Sequence, residues 1–227
     1  MNYINKTSKE IAVLLAGAAL FIGSVLPVSS ASDPSALTVK GAALDAHTHL
    51  ISQPLLDSMT GGGVPTAGAD DLIAQLDAAH IDKAVVLALG YDPSLDEAGS
   101  AAENDFAAAE IAQFPARLIG FCGINPLSAG ALKEIDRCLS HASMLGIKLQ
   151  GSNYDWEDPD QVAAISAVLT KAGEKNVPVL LHVNGAPLDA KGVMNVLETL
   201  GANQSTRITI AHAGGIIDSE IEIYLAT

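Results

Sequence analysis

Basic residues are scarce in this chain: 12 Lys and Arg stand against 26 Asp and Glu, a formal charge of −14 over 227 residues. No run of Lys or Arg makes a basic patch, which argues against a nucleic-acid partner because phosphate binding rests on clustered cations. Acidity of this size favours solubility and leaves the fold open. Nor does any glycine-rich loop lead into a helix in the way that cradles a phosphate. The triplet Gly61-Gly62-Gly63 reads instead as a flexible loop, either a plain linker or a lid beside a site. Cysteine is limited to Cys122 and Cys138, in an apparent strand and the helix after it. An exported protein could oxidise the pair, but free cysteine is commonly a small buried hydrophobe, and two free thiols are the expectation.

A hydrophobic run long enough to span a membrane is also lacking. Lys6 and Lys9 precede an apolar stretch from Ile11 to Leu26; its length of about 16 residues falls short of the roughly 20 that a spanning helix needs. Ser29, Ser30 and Ala31 then offer a cleavage point. Residues 1–31 are therefore expected to be an export signal, 32–41 a linker and 42–227 the folded domain. The mature protein is expected in the periplasm or secreted, with no stable membrane insertion after cleavage. It keeps about 196 residues, enough for one sizeable core.

Apolar, β-branched runs alternate with stretches of helical period, the pattern of βαβ units and a parallel sheet. Strands are expected near 43–50, 83–89, 117–124, 146–151, 178–184 and 207–213, and helices over 69–79, 103–114, 132–145, 161–175 and 192–200. The strand starts recur about every 33 residues, the period of a TIM barrel, which repeats it eight times. The expected fold is thus α/β, a TIM-type barrel with about six of its eight βα units, truncated at its C-terminal side. An unclosed sheet leaves its outer strands with unpaired backbone groups, so instability or self-association is the corollary.

Histidines mark the strand ends. His47 and His49 lie one residue apart in Asp45-Ala46-His47-Thr48-His49, and a strand aims residues i and i+2 at one face, so both imidazoles can reach one ion. His182 and His212 sit near the ends of two later apolar runs. Neutral imidazole is a good ligand for zinc and other divalent transition metals. His80 and His141 are expected to face solvent.

These residues fall in a recognisable order. Asp45-Ala46-His47-Thr48-His49 is followed by Phe114-Pro115-Ala116-Arg117-Leu118-Ile119-Gly120-Phe121 leading to Ile124-Asn125-Pro126, then by Gly146-Ile147-Lys148-Leu149. Val177-Pro178-Val179-Leu180-Leu181-His182 and Ile210-Ala211-His212-Ala213-Gly214-Gly215 complete the series. The set resembles the amidohydrolase superfamily, in particular the amidohydrolase-related branch that includes aminocarboxymuconate semialdehyde decarboxylase. The resemblance implies that His47, His49 and His182 bind a divalent metal, zinc by default, and that His182 and His212 serve catalysis, His212 by facing substrate or orienting water. It also implies an aspartate at the end of an eighth strand, which no residue here matches. Lys148 falls in a pattern for which the branch does not imply metal bridging. It reads as an inward lysine paired with a carboxylate such as Asp45, or as a substrate contact; Gln150, on the same strand face, is a substrate contact or a hydrogen bond at the barrel mouth.

The function implied is a metal-dependent hydrolase acting on a small-molecule amide, ester or lactone through a metal-activated water. The alternatives are a non-oxidative decarboxylase of the same branch, or an inactive remnant that lacks the last-strand Asp.

Overall fold

The computed structural model describes residues 43–182 and 190–211; the export signal and linker expected over 1–41, and His212, lie outside the described residues. Six strands, β1 (Leu44–Thr48), β2 (Lys83–Leu87), β3 (Leu118–Gly123), β4 (Met144–Gln150), β5 (Val179–His182) and β6 (Ile208–Ile210), are laid side by side in chain order and all parallel. They form a curled, incomplete barrel. Helices α1 (Gln53–Thr60), α2 (Ala69–Ala78), α3 (Glu97–Ala112), α4 (Ala131–Cys138), α5 (Pro159–Glu174) and α6 (Ala190–Ala202) connect them. Among the described residues no helix is long and apolar enough to cross a membrane.

Local chemistry starts and stops these elements. Asp96 and Asp158 accept backbone N–H groups at the first turns of α3 and α5, and Pro159 opens α5, where its missing donor costs nothing. Pro115 follows α3 and Pro178 precedes β5, as their restricted backbone requires. Helix α1 escaped the periodicity argument because one turn beyond the minimum gives little period to see. Its signals were those of capping: Ser52 accepts from the Leu55 N–H, and Gly61 closes the helix at φ 79°. Helix α4 ends at Cys138, short of the expected 145, because Met144 already belongs to β4 and its apolar neighbours serve a strand.

Two apolar layers follow from the alternation along the strands. The larger fills the space between sheet and helices with Val86, Ile147, Leu149, Leu181, Ile111, Ile135 and Leu169, all fully or nearly fully buried. The smaller lies on the concave side, where Val85, Leu87, Leu180 and Ala211 pack with Ile119 and Phe121. A Cβ on Gly146 would stand 2.6 Å from the Phe121 ring, so a larger residue there would have to displace that ring.

Cys122 on β3 and Cys138 at the end of α4 form a disulfide, with Cα atoms 6.1 Å apart. This corrects the expectation of two free thiols. Both residues point into the layer between sheet and helices and are wholly buried, so the packing of α4 on β3 brings together what the chain separates by 16 positions. Closing a loop of this length is worth about 3 kcal/mol. Denaturant unfolding with and without a thiol reductant, and of the C122A/C138A double variant, is expected to show a loss of that order; equal midpoints would show that the bridge contributes nothing to the fold.

Candidate metal centre

The site begins with an irregularity in β1. Leu44 and Asp45 pair with Lys83 and Ala84, but Thr48 then pairs with Val86, so β1 carries one residue more than β2 across the same span. Such a bulge breaks the ladder and re-aims side chains. Here the side chains of the Asp45-to-His49 run take over the lost bonds. Asp45 Oδ1 accepts the backbone N–H of His47 at 3.0 Å, Thr48 Oγ1 donates to the Val85 carbonyl at 2.9 Å, and His49 Nδ1 lies 2.8 Å from the Leu87 carbonyl. A carbonyl only accepts, so His49 donates from Nδ1, and in the neutral ring the lone pair is then on Nε2. Donation of the distal N–H to a backbone carbonyl is how a ligating histidine is usually oriented.

Three of the four expected imidazoles are gathered by this arrangement. The His47 and His49 ring centres are 5.2 Å apart, and those of His47 and His182 are 6.2 Å apart, each pair edge to face. His182 ends β5 and is in register with Gln150 of β4. With a zinc–nitrogen bond of about 2.0–2.1 Å, a ring centre stands about 3.2 Å from the ion, so two rings sharing it are about 5.2 Å apart at the tetrahedral angle and at most about 6.4 Å apart. The His47–His49 spacing matches the tetrahedral value, and the His47–His182 spacing is about 1 Å wider than it. Among the described residues no set of three His, Cys, Asp or Glu side chains is drawn in to ligating distance. The donors suit a divalent transition metal in kind, and the rings would have to draw closer to share one ion.

Lys148 does not pair with Asp45, whose carboxylate serves the bulge. It is wholly buried, and its Nζ has no hydrogen-bond partner among the described residues. The Tyr91 ring lies 5.7 Å from it, a residue that only folding reveals as a neighbour because it follows β2 in a loop. Burial lowers the Lys148 pKa from 10.5 to about 8, and burial together with the nearby Asp92 charge pushes the Tyr91 hydroxyl up to about 12. Gln150 donates from Nε2 to Ser152 Oγ at 2.8 Å, and its backbone N–H donates to the Tyr154 hydroxyl at 3.3 Å, the local mouth bonding that was one of its two expectations. His80 is exposed, and His141 lies beyond α4, 2.9 Å from the Asp105 carboxylate.

The rim is fixed from outside. Asn104, fully buried on α3, donates to the Gly123 carbonyl and to Glu134 and accepts the Gly123 N–H. Glu103 accepts the Ser52 N–H at 2.9 Å, tying the loop after β1 to the same helix. A cleft of about 770 Å³ between α3 and α4, lined by Glu97, Asn125, Lys133 and Glu134, contains none of the imidazoles; the chemistry of the donors, not the size of the cleft, locates the site.

A buried ammonium without a partner costs stability. Below about pH 8 Lys148 is charged in both folded and unfolded chains and the cost is complete; between pH 8 and 10.5 the folded chain sheds the proton first and the cost fades. Lys148→Met is therefore expected to be more stable than the parent at pH 7, by on the order of 3 kcal/mol, with the gap closing toward pH 10.5. Unfolding curves across that range check it, and a variant that is less stable at pH 7 would contradict it.

The sequence profile of the amidohydrolase family matches residues 44–224. No curated protein matches in sequence. Among solved structures, a probable 2-pyrone-4,6-dicarboxylic acid hydrolase from Acinetobacter baumannii, with citric acid bound, is similar at TM-score 0.56 and 20% identity, over 82% of this chain and 66% of that one. The 2,6-dihydroxybenzoate decarboxylase from Rhizobium gives 0.57 and 17% over 80% and 69%. The 5-carboxyvanillate decarboxylase from Novosphingobium aromaticivorans, solved with manganese bound, gives 0.58 and 16% over 81% and 69%. The chain thus spans about two thirds of the length of these structures. Profile and strand order agree: the chain belongs to the amidohydrolase family.

Proposed function

We propose that this chain carries the centre of a metal-dependent enzyme that hydrolyses a small-molecule amide, ester or lactone. The observation that carries the proposal is the clustering of the His47, His49 and His182 rings at 5.2 and 6.2 Å, with His49 oriented by the Leu87 carbonyl. A divalent cation held there, zinc by default, would supply Lewis acidity toward a carbonyl and acidify water at neutral pH. The remaining work belongs to the chain. Asp45 and Thr48 hold the bulge that aims His47 and His49, while Leu87, Leu180 and Phe121 keep the floor of the site apolar and dry. His212, outside the described residues, is proposed to face the substrate or orient water. The disulfide supports export to an oxidising compartment.

Decarboxylation is the second reading, favoured by the two decarboxylases among the similar structures. Assay of the zinc-loaded and manganese-loaded chain in ¹⁸O-water, against a panel of esters, lactones, amides and aromatic acids, separates the two. The expected result is ¹⁸O in the product, with turnover abolished by chelator and reduced at least about a hundredfold in His182→Ala. Carbon dioxide release without ¹⁸O would select the decarboxylase, and turnover indifferent to chelator would contradict both.

A further inference from the structure

We propose that Lys148 anchors a carboxylate group of the substrate, on the concave face of the barrel beside the three imidazoles. The inference deepens the metal-centred reading above and rests on it for the position of the reacting bond.

Lys148 is the only buried Lys or Arg among the described residues. Strand alternation puts Gly146, Lys148 and Gln150 on one face of β4. The Phe121 ring covers Gly146, Leu180 is the register partner of Lys148, and His182 is the register partner of Gln150. Lys148 therefore stands one residue layer below His182, beside Leu180 and one layer above Leu87 and Phe121. The Tyr91 ring flanks it, and the nearest expected counter-charge, Asp45, is bonded to the backbone of His47.

An aliphatic side chain would fill this position without the cost of a dry, unpaired ammonium. The charge makes sense if an anion joins it when substrate binds. A lysine presents one compact charge, which matches a carboxylate monoanion; a phosphate dianion draws on several donors or on an arginine fork, and none is buried here. Successive residues on one strand face are about 6.6 Å apart, so a small acid seated on Lys148 extends its neighbouring atoms toward the imidazoles. The substrate class follows: a small acid whose carboxylate lies a few bonds from the group that reacts.

The test uses benzoate, which chelates metals poorly, and its uncharged isostere benzamide. Each is titrated by calorimetry and thermal shift into the full chain, the Lys148→Met variant and the Lys148→Gln variant, both after chelator treatment and with Mn²⁺. Benzoate is expected to raise the melting temperature of the parent chain with or without Mn²⁺, benzamide to leave it unchanged, and both variants to lose at least tenfold in benzoate affinity. Variants that bind benzoate within twofold of the parent, equal binding of benzamide, or no benzoate binding by the parent would overturn the proposal. Benzoate binding that needs Mn²⁺ and ignores the variants would also overturn it while leaving the metal centre standing. Lys148-dependent binding in a chain that takes up no Mn²⁺ would keep the anchor and remove the metal-centred reading.

Discussion

The site depends on a single extra residue in β1. A regular parallel ladder would spend the backbone groups of Asp45 to His49 on β2; the bulge releases them, and three side chains of the same short run replace the missing bonds. Asp45 satisfies the exposed N–H, Thr48 the Val85 carbonyl and His49 the Leu87 carbonyl. The last of these bonds sets the tautomer of the neutral ring. Backbone bonding and side-chain aim share one set of contacts, which is why five consecutive residues can position two of the proposed ligands.

Lys148 shows the opposite arrangement. The bulge satisfies backbone groups while aiming the proposed ligands, but the lysine weakens the core that holds it. It stands on the concave face beside Leu180 and one layer above Phe121, while its charge has no answer among the described residues. Groups that lower stability without a structural return are where a fold serves binding. The Asn104 and Glu103 contacts of α3 compensate by stiffening the rim on the helix side.

Much of this was legible in the sequence. Strand alternation, the βα period and the His-Thr-His spacing each reflect short-range geometry, so strand positions agreed to within a few residues and the His47, His49 and His182 rings lie near one another. What depended on packing between distant segments was hidden. The disulfide required knowing how α4 lies on β3; the partner of Asp45 required the bulge; Tyr91 reached Lys148 only through the loop after β2. Helix α1 was visible only through its caps, Ser52 and Gly61, since eight residues carry too little period. Within the described residues β1 and β6 each pair on one side only, in keeping with the six units counted along the chain.

The central claim is that His47, His49 and His182 share one ion. X-ray absorption spectroscopy of the zinc-loaded chain reads it most directly, because imidazole rings leave a multiple-scattering signature that counts them. About three imidazoles per zinc, falling to about two in His182→Ala, is the predicted result. A zinc shell of oxygen with no imidazole signature, or one unchanged by removal of His182, would contradict the account.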